Sequence, residues 1–458
     1  MKYTKVGAVS LGCSKNAVDT EIMLGELSRL GFTVGADADD AEIIIVNTCG
    51  FIESAKQDSL DAILEMAQYK KSGACRLLVV TGCLSQRYPK ELRKELPEVD
   101  LFWGVKDYPA LAEKLFELTG GDEKDRLNSS RAIICGSSAR LLTTPPFRAY
   151  LRIADGCDNR CTYCAIPLIR GGRRSVPMEK LLEEANALAS SGVSELTVIA
   201  QDTSAYGTEL YGKPMLRELL LRLCEIEKLH WIRVLYAYPN TIDRPLVDTI
   251  SSEKKLCAYI DMPIQHISER MLRAMNRHGS GEHIREITDY IRAVSPDFIL
   301  RTTVMTGFPG ETEADHEKLM RFLSEHPFDR VGAFTYSAED GTPAASMPDQ
   351  VPPELAERRL NELMAQQQGI SLELNKRRVG SELEALIESV ELENDGSFTA
   401  LARSYAEAAD VDGMLLLRGR GIENLPAPGD YVRARLTAAQ EYDLEGELIQ
   451  AVEPNGEK

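Results

Sequence analysis

The stretch DGCDNRCTYC at 155–164 sets three thiols within eight residues, at Cys157, Cys161 and Cys164, with Tyr163 wedged before the last. A structural zinc site wants four protein ligands, and the histidine nearest in sequence is His230. Three thiolates suit a 4Fe–4S cluster instead, one cysteine to each of three irons, which leaves the fourth iron without a protein cysteine. Such an iron can coordinate a substrate or cofactor directly, whereas a cluster held by four cysteines mostly passes electrons.

A second set of three is dispersed but follows a rule. Cys13 ends VSLGC, Cys49 ends IIVNTC and Cys83 ends VVTGC, each one or two residues past an apolar run that reads as a strand. In a parallel sheet the C-terminal strand ends share one edge, so thiols far apart in sequence can converge there. The remaining cysteines, Cys75, Cys135, Cys224 and Cys257, fit ordinary packing.

The elements that must position these thiols are legible in the periodicity. Residues 1–120 alternate short apolar strands with amphipathic helices, the βαβ pattern of a parallel α/β sheet. Residues 121–146 are polar, end in TTPP and read as a linker. From 147 to 378 six more βα units follow, with strands in YLRIAD, ELTVIAQD, IRVLYAYP, AYIDMPIQH, FILRTTVMTGFPG and RVGAFTYS. Six such units resemble a partial (β/α)6 TIM-like barrel, whose chemistry sits at the C-terminal strand ends. There this chain carries Gln201-Asp202, His266 and the Gly307–Glu311 turn. After the amphipathic segment ELAERRLNELMAQQQGISLELNKRR, residues 379–455 hold five short alternating strands, the pattern of a small OB-like antiparallel β-barrel.

Bulk properties agree with a multidomain α/β protein. At about 150 residues per domain, 458 residues suggest about three domains. The start, MKYTKVGAVSLG, lacks the apolar core of a signal peptide, and no run of about 18 apolar residues occurs. A cytoplasmic protein with no membrane partner is expected. In that reducing compartment ten cysteines point to metal rather than to disulfides. The net charge is −18, and residues 381–458 hold 6 Lys and Arg against 17 Asp and Glu. Such a surface repels phosphate backbones and attracts basic partners. Arg170, Arg173, Arg174 and Lys376-Arg377-Arg378 read as solvated faces or contacts within the central domain rather than an RNA track.

CDNRCTYC at the head of a barrel-like domain resembles the signature of the radical S-adenosylmethionine (SAM) enzymes. The resemblance extends over nearly the whole chain. SLGCSKNAVDTE, VNTCGFIESAKQDS, VVTGCLSQRY, IADGCDNRCTYCAIPLIRGGRRS, IAQDTSAYGTELYGKPML, YAYP, DMPIQHIS and TGFPGETE together are similar to the methylthiotransferases. That family couples an N-terminal iron–sulfur domain, a radical SAM domain and a C-terminal TRAM domain. The resemblance implies two 4Fe–4S clusters, one on Cys157, Cys161 and Cys164 and one on Cys13, Cys49 and Cys83. It places Tyr163 near the SAM adenine, and Gln201, Asp202, Gly307 and Gly310 at strand ends that line the SAM site. Glycines at 307 and 310 would let backbone approach the ligand; ordinary βα turns are the other reading of these positions. His266 is either a pocket residue or a satisfied polar group. No catalytic side chain beyond the clusters is implied.

By the same resemblance, one SAM serves as methyl donor and a second as the source of a 5′-deoxyadenosyl radical. Sulfur would be delivered at the N-terminal cluster. An electron donor such as flavodoxin or ferredoxin, and a sulfur donor, complete the reaction.

The family has two branches. S-L-G-C-S-K-N at 10–16 and R-S-Y-A-E-A-A-D-V-D-G at 403–413 resemble the branch, of RimO type, that modifies an aspartate β-carbon in small-subunit ribosomal protein twelve. Ala409 stands where the resemblance leads one to expect proline. The other branch, of MiaB type, modifies an adenosine in tRNA, and the acidic barrel argues against that partner. A non-catalytic iron–sulfur carrier is the alternative from another class.

Overall fold

The computed structural model describes residues 1–122, 132–135, 138–421 and 425–451. The chain forms two compact units, Met1–Pro214 with Ser337–Ser346, and Met215–Tyr336 with Met347–Lys458.

In the first unit, strands β1 (Lys5–Ser10), β2 (Thr33–Val34), β3 (Ile43–Thr48), β4 (Leu77–Gly82) and β5 (Leu101–Phe102) make an all-parallel sheet in the order β2-β1-β3-β4-β5. Every residue of β3 is buried, as expected of a parallel strand covered on both faces. The cover comes from α1 (Ser14–Arg29), α2 (Glu53–Ser72), α3 (Cys83–Arg87), α4 (Pro89–Glu95) and α5 (Tyr108–Leu118). Leu24 and Leu27 of α1 pack with Leu111 and Leu115 of α5 on one face. Ile63 and Met66 of α2 pack with Leu92 of α4 on the other. The strand order reverses between β1 and β3, the place where doubly wound sheets open a crevice beyond their carboxyl ends.

The segment read as a linker is in part an ordered clasp. Strands β6 (Ile133–Cys135) and β7 (Ser138–Arg140) pair antiparallel. Arg140 is buried, with Nε and Nη2 on Glu21 of α1 at 2.8 and 2.6 Å and Nη1 on Glu184 at 2.7 Å. The Ala139 N–H donates to Glu26 at 2.8 Å. The segment's polarity reads as a linker, but Arg140 is paired with Glu21, 119 residues earlier, and with Glu184. Residues 123–131 and 136–137 of the expected linker lie outside the described residues.

All six strands expected of the central domain form in order. β8 (Arg148–Arg152) and β11 (Glu195–Ile199) pair in parallel in the first unit, where β9 (Ala154–Asp155) and β10 (Arg174–Ser175) also make a short antiparallel ladder. The second unit holds β12 (Trp231–Val234), β13 (Tyr259–Asp261), β14 (Ile299–Thr306) and β15 (Arg330–Thr335), with β13-β14-β15 in one parallel sheet.

The expected C-terminal barrel is closed. Strands β16 (Glu382–Leu392), β17 (Ser397–Arg403), β18 (Leu415–Arg420), β19 (Tyr431–Ala439) and β20 (Leu444–Ala451) run in the order β16-β17-β18-β20-β19. All pairs are antiparallel except β18 with β20. Its core is Ala385, Ile387, Ala400, Leu415, Leu417, Val432 and Leu436 among others. Residues 422–424 and 452–455 of the expected barrel domain lie outside the described residues. Among the described residues no helix is long and apolar enough to cross a membrane.

Candidate iron–sulfur site

Cys13, Cys49 and Cys83 stand at the carboxyl ends of the adjacent strands β1, β3 and β4, at the reversal of strand order. Cys49 and Cys83 directly follow their strands, while Cys13 comes three residues after Ser10, later than its sequence suggests, because Leu11 and Gly12 make the turn into α1. Cys13 is the N-cap of α1. Gly12 has φ +89°, and a Cβ there would lie 3.0 Å from the Cys49 sulfur. That neighbour must be bare for the two loops to meet. Gly50 is equally tight, its missing Cβ 2.7 Å from the Leu84 nitrogen, so the loops after β3 and β4 also touch.

Asn16 and Asn47 lock this edge. Asn16 Nδ2 donates to the carbonyls of Leu11 and Thr48, both at 3.0 Å, and Asn47 Nδ2 donates to Asn16 O at 2.9 Å. Asn47 Oδ1 is buried without a partner. The Cys83 thiol donates to Asn16 Oδ1 at 3.6 Å and receives Arg170 Nη2 at the same distance. Burial pushes this thiol up to about 12, with Arg170 opposing and Cys13 and Cys49 adding to the rise. Cys49 is raised too, chiefly by burial. Metal binding to such thiols displaces their protons.

The second set lies in the same unit. Cys157, Cys161 and Cys164 are all half-buried, as is Tyr163. The loop that carries them is tied along its length. The Cys157 N–H donates to Gly171 O at 3.1 Å, the Cys164 N–H to Cys161 O at 3.1 Å, and Thr162 O accepts from the Ala344 N–H at 2.9 Å. Asn159 Nδ2 donates to Asp202 at 2.8 Å. Burial, reinforced by Asp202 and Cys161, pushes the Cys157 thiol up to about 11. Gly156 has φ +77°, and a Cβ there would sit 2.3 Å from Gly172 O. Gly156→Ala should therefore shift the turn and empty this set: iron bound by the purified variant falls by about half, and SAM cleavage goes with it. Iron analysis checks the prediction.

Of the expected cofactor residues, Gln201 and Asp202 stand beside this loop. Gln201 Nε2 donates to Asp155 at 3.3 Å, and its Oε1 is buried with no partner, an acceptor left for a ligand. Asp202 is a tie instead, accepting from Asn159, Ser204 and the Ala205 N–H. Gly307 and Gly310 belong to the second unit. A Cβ on Gly307 would lie 2.3 Å from that of Ala356, so its bareness is already required by the helix Pro353–Arg378 and gives no sign of ligand approach. His266 is fully buried and satisfied: Nδ1 accepts from the N–H groups of Ile267 and Ser268, and Nε2 meets Glu311 at 3.3 Å.

Sequence reasoning missed the charged residues around the thiols. Arg170 is no solvated face; it is buried against Asp19, Asp155, Asn16 and Cys83. Arg378 is half-buried and paired with the buried Glu407, while Arg174 and Lys376 are exposed. Arg87, at the end of α3, donates to Gly50 O at 3.0 Å and to Glu339 at 2.7 Å. Asn16 was within reach of sequence reasoning, three residues after Cys13 in the first turn of α1. Cys75 and Cys257 are buried and Cys224 half-buried, as packing cysteines; the Cys135 side chain lies outside the described residues.

Among the described residues no three His, Cys, Asp or Glu side chains converge as they would around one metal ion. A cube asks for something else, since each thiolate binds a different iron and the three need not share a point. Two all-cysteine sets, each of three and each bordered by a buried unpartnered amide oxygen, fit two such clusters.

Residues 5–104 match an uncharacterized protein family, UPF0004, residues 151–323 the radical SAM superfamily and residues 379–449 the TRAM domain. The chain is 46% identical over 446 residues to the ribosomal protein uS12 methylthiotransferase RimO of Geobacter sulfurreducens, covering 97% of this chain and 98% of that one. It is 45% identical over 442 residues to the protein of the same name from Lachnoclostridium phytofermentans, covering 96% and 99%. Two structures of the radical SAM methyltransferase TsrM from Kitasatospora setae share its fold. One, with cobalamin and a 4Fe–4S cluster, aligns at a TM-score of 0.54 and 13% identity over 75% of this chain and 74% of that one. The other, with tryptophan and a SAM analogue, aligns at 0.55 and 12% over 81% and 89%. Near-full-length identity of this order leaves one conclusion: the chain belongs to the ribosomal protein uS12 methylthiotransferase (RimO) family of radical SAM enzymes.

Proposed function

We propose that this enzyme methylthiolates the β-carbon of an aspartate in ribosomal protein uS12, with Cys157, Cys161 and Cys164 holding the cluster that engages SAM and Cys13, Cys49 and Cys83 holding the cluster that handles sulfur. The observation that carries the reading is the presence, in one compact unit, of two separate cysteine triads on a chain that matches uS12 methylthiotransferases end to end.

An unactivated C–H bond is beyond any side-chain base near neutral pH. When bound, the two clusters and two SAM molecules supply the electron, the hydrogen-abstracting radical and the methylthio group. The chain's own residues hold and shield. Asn159 and Asp202 fix the C-x-x-x-C-x-x-C loop, Gln201 offers Oε1 to the cofactor, and Tyr163 flanks the third cysteine, where an adenine would stack. Burial of Cys83 shields its sulfur from water, and Cys157 is half-buried.

The substrate follows from charge as well as from kinship. Residues 381–458 carry 17 acids against 6 bases, which complements a basic ribosomal protein and opposes tRNA phosphates. The reaction takes place in the cytoplasm, where uS12 meets the ribosomal subunit, with reduction by a flavodoxin or ferredoxin and sulfur from a separate donor.

In cells lacking the enzyme, uS12 should lose an addition of about 46 Da, one SCH3 in place of one hydrogen, as read by mass spectrometry of the intact protein. Persistence of that mass alongside loss of a methylthio group from a tRNA would overturn the assignment. Purified, loaded enzyme given SAM and a reductant should form 5′-deoxyadenosine; a mere iron–sulfur carrier would not.

A further inference from the structure

Between the two cysteine sets lies a buried guanidinium. The short helix α6 (Ile166–Ile169) follows Cys164 closely and is continued by Arg170 and Gly171. The Arg170 side chain is 2% exposed. Its Nη2 reaches Asn16 Oδ1 and Asp19 Oδ2, both at 2.8 Å, and the Cys83 sulfur at 3.6 Å. Its Nη1 reaches Asp155 Oδ1 at 3.0 Å, two residues before Cys157. The carbonyl of the next residue, Gly171, accepts from the Cys157 N–H at 3.1 Å. Residues 170–171 thus touch one cysteine set by side chain and the other by backbone.

Charge balance alone does not call for this arrangement. Asp19 already pairs with Arg152, and Asp155 with Arg174. Buried ion pairs contribute little net stability over apolar packing. What Arg170 adds beyond both is a directed N–H···S hydrogen bond.

We propose that Arg170 is a positioning residue of the N-terminal cluster: its guanidinium donates to Cys83, fixes that thiolate, and raises the cluster's reduction potential by stabilising the extra negative charge of the reduced form. The inference rests on Cys83 being a cluster ligand. Asp155 holds the guanidinium and the adjacent Gly171 carbonyl holds the Cys157 N–H, so the geometry of each set is referred to the other through residues 170–171.

The test uses the full-length chain with Cys157, Cys161 and Cys164 replaced by alanine, so that only the N-terminal cluster remains, titrated by EPR at controlled potentials. Arg170→Lys keeps a positive charge beside Asp19 but cannot reach Cys83 with the same fork. At a fixed potential it should lower the ratio of reduced to oxidised cluster about tenfold, ~59 mV for one electron, with iron content unchanged. Asp155→Asn, which leaves the Cys83 contact intact, should change that ratio less than about threefold. Independently of any change at position 170, nitrogen-15-labelled arginine should give a hyperfine coupling to the reduced cluster. If the triple variant binds no iron, the cysteine assignment fails and Arg170's role with it. If it binds iron but shows no nitrogen coupling, or Arg170→Lys leaves the potential unmoved, the role of Arg170 is overturned while the assignment stands.

Discussion

Replacing Cys157, Cys161 and Cys164 together by alanine abolishes 5′-deoxyadenosine formation, whereas replacing Cys13, Cys49 and Cys83 leaves SAM cleavage in place and abolishes only the methylthiolated product. This is the largest effect expected of any change to the chain, because each triple removes every protein ligand of one cluster and none of the other. Each variant should retain about half of the iron of the parent. The two sets are separate stretches of one compact unit, so loss of all iron in either triple variant would overturn the assignment of one cluster to each set. Replacing Cys75 or Cys257, which are buried in packing roles, should leave iron content unchanged and serves as the control. If the N-terminal triple also stops SAM cleavage, the division of labour between the clusters is wrong. Product analysis with iron quantification separates these outcomes.

The second large effect is on stability. Glu407 is fully buried and accepts from the Ser404 N–H at 2.9 Å and from Arg378 at 2.8 Å, with Arg330 at 3.6 Å. Burial pushes its carboxyl up, but Arg378, Arg330 and Ser404 outweigh that and bring it down to about 2. Removing one partner of a buried charge cluster costs about 3–5 kcal/mol, since the cations left behind are uncompensated. Glu407→Ala should therefore lower the unfolding free energy of the second unit by about that amount in urea titrations. The pH dependence has a definite sign. A folded-state value below the unfolded value of about 4.3 means that the contribution is complete above that pH and is lost as pH falls toward the folded value. Stability should decline between about pH 5 and pH 2 in the parent, and Glu407→Gln should flatten that decline.

Glu407 also shows what a sequence can and cannot say. The motif RSYAEAADVDG was legible as a family mark, and its position in the barrel domain was right. Its physical role was hidden. Arg403 pairs with Glu388, Glu407 with Arg378, and Asp412 with the hydroxyl of Tyr259, so the motif is a knot of buried charge at the base of the barrel. The strands were legible because apolar runs such as IIIVNT have no stable place except inside a sheet. The placement of Cys13, Cys49 and Cys83 at strand ends was legible because their flanks repeat. For Arg170 and Arg378 the sequence leaves open a solvated face or a contact within the central domain, and it places Arg140 in a linker, because composition registers charge and not the acid that meets it. The same blindness applied to Gly307, where the demand for a bare residue comes from a helix some fifty positions later.

The short return of Ser337–Ser346 to the first unit bears on how the enzyme matures. Glu339 is buried between Lys56 and Arg87, and the Arg87 guanidinium also holds Gly50, beside Cys49. Ala344 braces Thr162 within the second cysteine loop. On a ribosome the cysteines emerge long before this segment, and N-terminal parts fold first. Until Ser337–Ser346 has been synthesised, two cations near the first cysteine set lack their common counter-charge and the second loop lacks a strut. Iron–sulfur assembly on a nascent chain would meet an unfinished mould, a reason for metal to follow closure of the unit.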